Sequence, residues 1–326
     1  NNDWERPIYF TGGSYDDSEY LWMKKYLQLE GLVYKLVPIE TNLGKENPYI
    51  MGRIDSELMY EIVMKWNWGN SERTDIYHDP ETRKNSISFR SNMARLSELL
   101  INEDKFEKAK TIIDLAIEKM PIDYFGYYSL LVPFVDGYYR IDNVDKAKEL
   151  SKKIAYKYAD RLNYFSSLNA NEQYLLGEEI LTEIERYRTL IEADLKHYEQ
   201  SDLYTTLNQF VAAITPFRYL YGDYEFYTSL IDVAEGYYLI GEVEIAQNLS
   251  KKIADQFSER MKLFAQFPPS NQTQIQDRIK KEWSAYNYFL QIINSFDESS
   301  FFNTLEDQYN SNINLFNSES ALQKKE

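Results

Sequence analysis

At 326 residues the chain is long enough for one elongated domain or two compact ones, and its 36 basic against 52 acidic residues give a formal charge of -16. That balance argues against nucleic acid and anionic membrane surfaces, which are both held by Lys and Arg. The absence of Cys removes disulfides, thiolate metal sites and thiol nucleophiles, and leaves the redox compartment open.

The opening NNDWERPIYF has no initiating Met and runs at once into a strand-like segment, so the chain reads as a piece of something longer. It shows no signal peptide and no apolar run approaching the roughly 18–20 residues of a membrane span. RPIYF (6–10) and GLVYKLVPI (31–39) are β-branched and aromatic runs that predict strands. DSEYLWMKKYLQLEG (17–31), closed by Gly31, predicts a helix between them, giving a strand–helix–strand α/β unit. A loop at 41–49, a helix at 54–66 and a polar surface loop, WGNSERTDIYHDPETRKN (68–85), follow. The predicted boundaries are a small α/β unit over 1–85 and a helical domain over 86–326.

The helical part repeats itself. GYYRIDNVDKAKELSKKIA from Gly137 and GYYLIGEVEIAQNLSKKIA from Gly236 share twelve of nineteen residues, 99 positions apart. A third copy appears when Ala109 is set in register with Ala147 and Ala246. The copies cover about 92–121, 131–161 and 230–260. Met93, Leu96, Ser97, Leu100, Ala109, Ile113, Ala116 and Pro121 fall at the spacing of a tetratricopeptide repeat. The same slots hold Leu131, Phe134, Val135, Tyr138, Ala147, Ser151 and Ile154 in copy two. In copy three they hold Leu230, Val233, Ala234, Tyr237, Ala246, Ser250 and Ile253. The expected fold is therefore mostly α, a tetratricopeptide-like array behind the small N-terminal unit. A helical insert occupies 171–215: one long helix over 171–200 with its stripe on Leu176, Ile180, Ile184, Tyr187, Ile191, Leu195 and Tyr198, then another at 203–214. A closing helix is expected at 275–296, and a frayed end at SALQKKE.

No catalytic constellation emerges. FTGGSYDDSEY (10–20) sits where a phosphate loop would, but it lacks the Lys and glycine spacing, and Asp16, Asp17 and Glu19 would repel a phosphate. Glu178 and Glu179 are adjacent on a helix and cannot face each other across a cleft. His78 and His197 stand alone among polar residues and read as solvated. No metal site and no cofactor are expected. The candidate is a surface: stacked repeats present their first helices on one face. The register puts Glu98 and Ile101, Asp136 and Tyr139, and Glu235 and Tyr238 on that face, where a cationic or polar peptide or a sugar could lie. The alternative is that the inserted helix packs over these residues.

A more specific signal lies ahead of the repeats. RPIYF (6–10), KYLQLEGLVYKLVPI (25–39), GRID (52–55) and WNWGN (66–70) occur in that order, followed by FRSNMARLSELL with an Arg-x-Asn-x-Ala-Arg-Leu stretch. This run resembles the soluble C-terminal part of a family of large multi-pass membrane proteins of Bacteroidetes-type bacteria. The membrane half of that family resembles glycosyltransferases of the C superfold, with a protein O-mannosyltransferase-like character, and its members end in a tetratricopeptide-like domain. The resemblance covers residues 6–160 and becomes a generic helical-repeat likeness beyond. It implies a non-catalytic accessory domain on the periplasmic side of the inner membrane, after the last span of a membrane-embedded parent. The catalytic acids would lie in the membrane half, and the partner would be a protein, a peptide or a glycan acceptor. A free-standing tetratricopeptide adaptor and a carbohydrate-active enzyme on a helical scaffold remain the alternatives.

Overall fold

The computed structural model describes residues 6–11, 22–42, 52–268, 272, 275–297 and 299–322, and divides into two compact units, 1–154 and 155–326. The protein is mostly α with a small strand-bearing N-terminal region. In the first unit β1 (Tyr9–Thr11), β2 (Leu27–Glu30), β3 (Val33–Leu36) and β4 (Arg53–Ile54) make one sheet in the order β1-β3-β2-β4. It is antiparallel except where β4 runs parallel to β2, with Leu29 opposite Ile54.

The helix expected over 17–31 is not what its described residues form, because Leu27 to Glu30 are a strand. The run KKYLQLEG fits either period on paper. Two things decide it: Leu27 and Leu29 alternate into the core, and Gly31, at φ +69°, takes the left-handed conformation of a two-residue hairpin turn into β3. Residues 12–21, which carry the rest of that helix and the phosphate-loop candidate, lie outside the described residues, as do 43–51 of the expected loop.

Helix α1 (Ser56–Met64) starts at Asp55, whose carboxylate accepts the Leu58 N–H at 3.1 Å, and packs Met59 and Val63 beside β2. The stretch 68–85 is a series of turns ending in α2 (Pro80–Lys84), capped by Asp79 with Pro at its first position. Next come α3 (Ser86–Asn102), α4 (Phe106–Lys119), the single turn α5 (Ile122–Phe125), α6 (Val132–Arg140) and α7 (Val144–Ser167). The stretch from Arg90 to Leu96 explains why the strands and first helices share a unit, with no break at 85. Asn92 donates to the Gly31 carbonyl at 3.0 Å and Arg95 to the Tyr34 hydroxyl at 3.1 Å, tying α3 to the hairpin. Arg90, fully buried, donates to the carbonyls of Met120 and Gly126 and so holds the chain leaving α4. Burial pushes its guanidinium down to about 10. Trp66, Trp68 and Phe89 form an aromatic cluster in which Trp66 stands edge-to-face to both partners, 5.0 Å from Phe89 and 5.5 Å from Trp68.

The second unit contains α8 (Ala170–Leu175), α9 (Gly177–Lys196), α10 (Leu203–Ile214), α11 (Arg218–Tyr221), α12 (Asp223–Leu239), α13 (Val243–Ala265), α14 (Gln276–Phe296) and α15 (Ser300–Leu322). The single helix expected over 171–200 is broken at Leu176. A capping box of Asn169 and Glu172 opens α8, and α9 then restarts. Ile180, Ile184, Tyr187 and Ile191 of the expected stripe are buried as a set. The final helix α15 is not anticipated from sequence, because its Ser- and Asn-rich composition hides the apolar period. It packs on α13 through Asn312, which donates to Ser258 at 2.8 Å, and through Gln308, which donates to Asp255 at 3.0 Å. Residues 323–326 of the expected frayed end lie outside the described residues.

The repeat is real in three dimensions. Apart from Pro121, every slot named for the three copies is buried. The copies form the helix pairs α3–α4, α6–α7 and α12–α13, and all three turn by the same hydrogen bonds. Lys105, Asn143 and Glu242 donate N–H back to Leu100, Tyr138 and Tyr237 at 2.8, 2.8 and 2.9 Å; Asp104, Asp142 and Gly241 donate to Ile101, Tyr139 and Tyr238, each at 3.0 Å. Asp104, Asp142 and Gly241 carry positive φ (58°, 59° and 81°), completing a Schellman motif in each copy.

The segment 177–214 belongs to the same series. A Cβ on Gly137 would meet Ile113 at 2.9 Å and Ile101 at 3.6 Å, both from the pair before it; a Cβ on Gly236 would meet Leu207 at 2.7 Å and Leu195 at 3.1 Å. The Tyr138 hydroxyl donates to Asp114 at 2.5 Å, and that of Tyr237 to Asn208 at 3.1 Å. Ile101, Ile113 and Asp114 thus correspond to Leu195, Leu207 and Asn208, each 94 positions on. The pair α9–α10 stands towards α12 as α3–α4 stands towards α6, a divergent copy where an insert is expected from sequence.

Candidate binding face

The register places six residues on the first-helix face, and the structure treats them unequally. Glu98 is exposed. Asp136 is half-buried and lies 3.8 Å from Arg140. Ile101, Tyr139 and Tyr238 are buried. Tyr238 stacks on Phe296, with centroids 5.6 Å apart and planes 6° from parallel, and points its hydroxyl at Asp297, 3.5 Å away. Glu235 alone of the second unit's pair keeps access to solvent, half-buried on α12.

Around Glu235 the second unit gathers groups from three helices. Arg188 of α9 donates to Asp232 of α12 at 2.7 Å and lies 3.6 Å from Glu192, one turn further along α9. By the 94-residue correspondence Glu192 is the counterpart of Glu98. Tyr288 of α14 is 54% exposed, and the charges of Glu235, Asp232 and Arg188 act on its hydroxyl. The structure therefore sets Glu235 one helical turn from Asp232, which pairs with Arg188, while Tyr238, the aromatic residue expected beside Glu235, is buried against Phe296.

The electrostatics of this group are asymmetric. Burial pushes the Asp232 carboxyl up, and Arg188 offsets only part of that. Burial also raises Glu235, helped by the negative charge of Asp232, and among the described residues no cation is paired with Glu235. Tyr288 is raised by burial and then by the two carboxylates. The one cation of the group, Arg188, is already committed to Asp232 and Glu192.

Elsewhere, Asp114 at a cleft of about 440 Å³ in the first unit is fully engaged. Burial would raise its carboxyl, but hydrogen bonds from Lys110, Lys146 and Tyr138 outweigh burial and hold it low. His78 is half-buried, its ring 5.3 Å from Tyr124 and its N–H bonded to the Tyr124 hydroxyl, rather than solvated as its sequence suggests. His197, also expected to be solvated, is half-buried at the end of α9. Glu178 and Glu179 are exposed, and Glu179 accepts from Arg161. Among the described residues no group of His, Asp or Glu is placed to hold a metal ion, and no helix is long and apolar enough to cross a membrane.

One comparison with known proteins bears on identity. The family model of TMEM260-associated domain 2 matches residues 1–58. That stretch holds β1 to β4 and the start of α1, so the likeness speaks for the strand-bearing segment and not for the helix pairs. No curated protein and no solved structure matches the chain.

Proposed function

We propose that the chain is an extracytoplasmic accessory domain of a glycosyltransferase-like membrane protein, and that its tetratricopeptide-like helix pairs bind a protein partner or acceptor. The attachment rests on the match of residues 1–58 to TMEM260-associated domain 2, together with the motif run that continues through Trp66 and Arg90. Binding is supported by one observation: Glu235 is half-buried on α12, one turn from Asp232, and among the described residues no cation pairs with it. Chemistry on a sugar would belong to the membrane half. The chain would position what that half modifies.

The coding sequence upstream of Asn1 tests the attachment. Several hydrophobic spans are expected there, the last ending shortly before Asn1. A start codon with no span between it and Asn1 would overturn the accessory reading and leave a free-standing adaptor.

A further inference from the structure

We infer that the second unit binds a carboxylate between Arg260 of α13 and Arg278 of α14, where a glutamate of the chain's own serves 99 positions earlier. A duplication makes the comparison possible. Tyr158 stacks on Tyr187 with centroids 5.3 Å apart, and Tyr187 meets Phe210 edge-on at 5.2 Å. Phe257, Tyr286 and Tyr309, each 99 positions on, repeat the two contacts at 5.3 and 5.0 Å. Helices α13, α14 and α15 therefore meet as the end of α7, α9 and α10 do, and side chains at matching positions can be compared one by one.

Arg161 and Glu183 of the first copy become Arg260 and Glu282 of the second. Both glutamates are buried, and each leaves one carboxylate oxygen without a hydrogen-bond partner among the described residues. The copies differ at the arginines. Arg161 lies 5.6 Å over the Phe165 ring, and its Nη2 donates to Glu179, one turn before Glu183. Arg186 donates to Glu183 at 3.2 Å. Two guanidiniums thus meet two carboxylates.

In the second copy Arg278 stands for Glu179, and Ala285 stands for Arg186. Arg278 lies 5.8 Å over Phe264, the counterpart of Phe165, one turn before Glu282. Arg260 gives only its Nε to Glu282, at 2.8 Å. Its side chain is 11% exposed, and both Nη atoms are buried with no partner among the described residues. Two guanidiniums now share one carboxylate, in a chain of net charge -16. Buried donors without acceptors are costly, so an incoming acceptor gains more here than at a solvated arginine. A carboxylate fits because its two oxygens match the guanidinium fork, and because that same group completes the first copy. An incoming cation would add to the positive excess, and a neutral hydroxyl would leave it standing.

The test is thermal unfolding of the 326-residue chain in chloride at fixed ionic strength, with sodium propionate, inorganic phosphate or a Glu-rich peptide added. Propionate carries the carboxylate of a Glu side chain alone. It is expected to raise the melting temperature saturably, by about 2 °C at the plateau, and phosphate is expected to raise it less. Arg278→Glu rebuilds the first copy's arrangement, so it should raise the melting temperature without ligand and abolish the propionate shift. Arg278→Gln should cut that shift by about half. Both variants change an exposed side chain, and circular dichroism checks that each is folded. A peptide response that saturates at a lower carboxylate concentration than propionate's assigns the carboxylate to a protein segment; an equal or weaker response assigns it to a small organic acid. A phosphate shift as large as propionate's overturns the carboxylate assignment. No saturable shift with propionate or peptide, or a shift unchanged in both Arg278 variants, overturns the site. None of these outcomes bears on the membrane attachment, which the upstream coding sequence tests separately.

Discussion

A methyl group on Gly236 would stand 2.7 Å from Cδ1 of Leu207, so the seam between α12 and the preceding helix pair has no room for one. Helix propensity favours Ala over Gly by about 1 kcal/mol, whereas overpacking a filled interface costs about 1–3 kcal/mol. Gly236→Ala should therefore lower stability by about 1 kcal/mol in urea unfolding. Adding Leu207→Ala opens the same space, so the two changes should cost less together than their sum.

The three matched turns make a paired prediction. A Cβ on Gly241 would meet nothing within 4 Å, so Gly241→Ala bears only the backbone cost of the left-handed well, about 1–2 kcal/mol. Asp142 sits in the same conformation with φ 59°. Asp142→Gly should stabilise, by less than about 1 kcal/mol, because Asp tolerates this region better than most residues. Thermal melts of both variants check the opposite signs.

Glu235 makes stability depend on pH in a fixed direction. Its folded carboxyl titrates above the ordinary value of 4.5, so the folded state holds the proton more firmly than the unfolded chain. Its contribution is most favourable at or below pH 4.5 and is lost as pH rises through the folded value. Glu235→Gln should thus stabilise the protein at pH 7, by under about 1 kcal/mol for a half-exposed group, and the gain should shrink as pH falls towards 4.5. Denaturation curves of both proteins at pH 7 and pH 5 measure this.

A buried ion pair joins α13 to α14. Arg260 donates through Nε to Glu282 at 2.8 Å, and the Glu282 side chain is wholly buried. Burial raises the Glu282 carboxyl, with Arg260 offsetting part of that. Glu282→Ala strands a guanidinium and should cost about 3–5 kcal/mol, while the double change Arg260→Met with Glu282→Leu should cost much less. A double-mutant cycle in urea separates the two.

The repeat is legible in sequence because its small and large slots recur in fixed order. Glu235 is legible too, as the acid one step before the wedge glycine. Ile101, Tyr139 and Tyr238 are misplaced by sequence for a geometrical reason. Each lies three residues after its acid, about 60° round the helix, next to a buried slot at Leu100, Tyr138 or Tyr237. Tyr288 escapes notice because α14 carries no Gly-Tyr-Tyr signature and reads as a closing helix. The pair α9–α10 is hidden because it keeps the spacing of the repeat while changing nearly every residue: Leu for Ile at two contacts and Asn for Asp at the third. The strand at Leu27 is lost because four residues hold too little pattern to fix a period.

The glycine wedge also gives the helix pairs a direction. Gly137 and Gly236 each sit on the leading helix of a pair, and the side chains nearest to each come from the pair upstream. Such a joint works like a keyed coupling: parts can be exchanged, but not reversed. Residues 86–119 and 180–213 are equal in length and present Ile101, Ile113 and Asp114 or Leu195, Leu207 and Asn208 at matching places. A chain in which one of these segments replaces the other would still bring matching side chains to the glycine that follows, leaving the joints untouched.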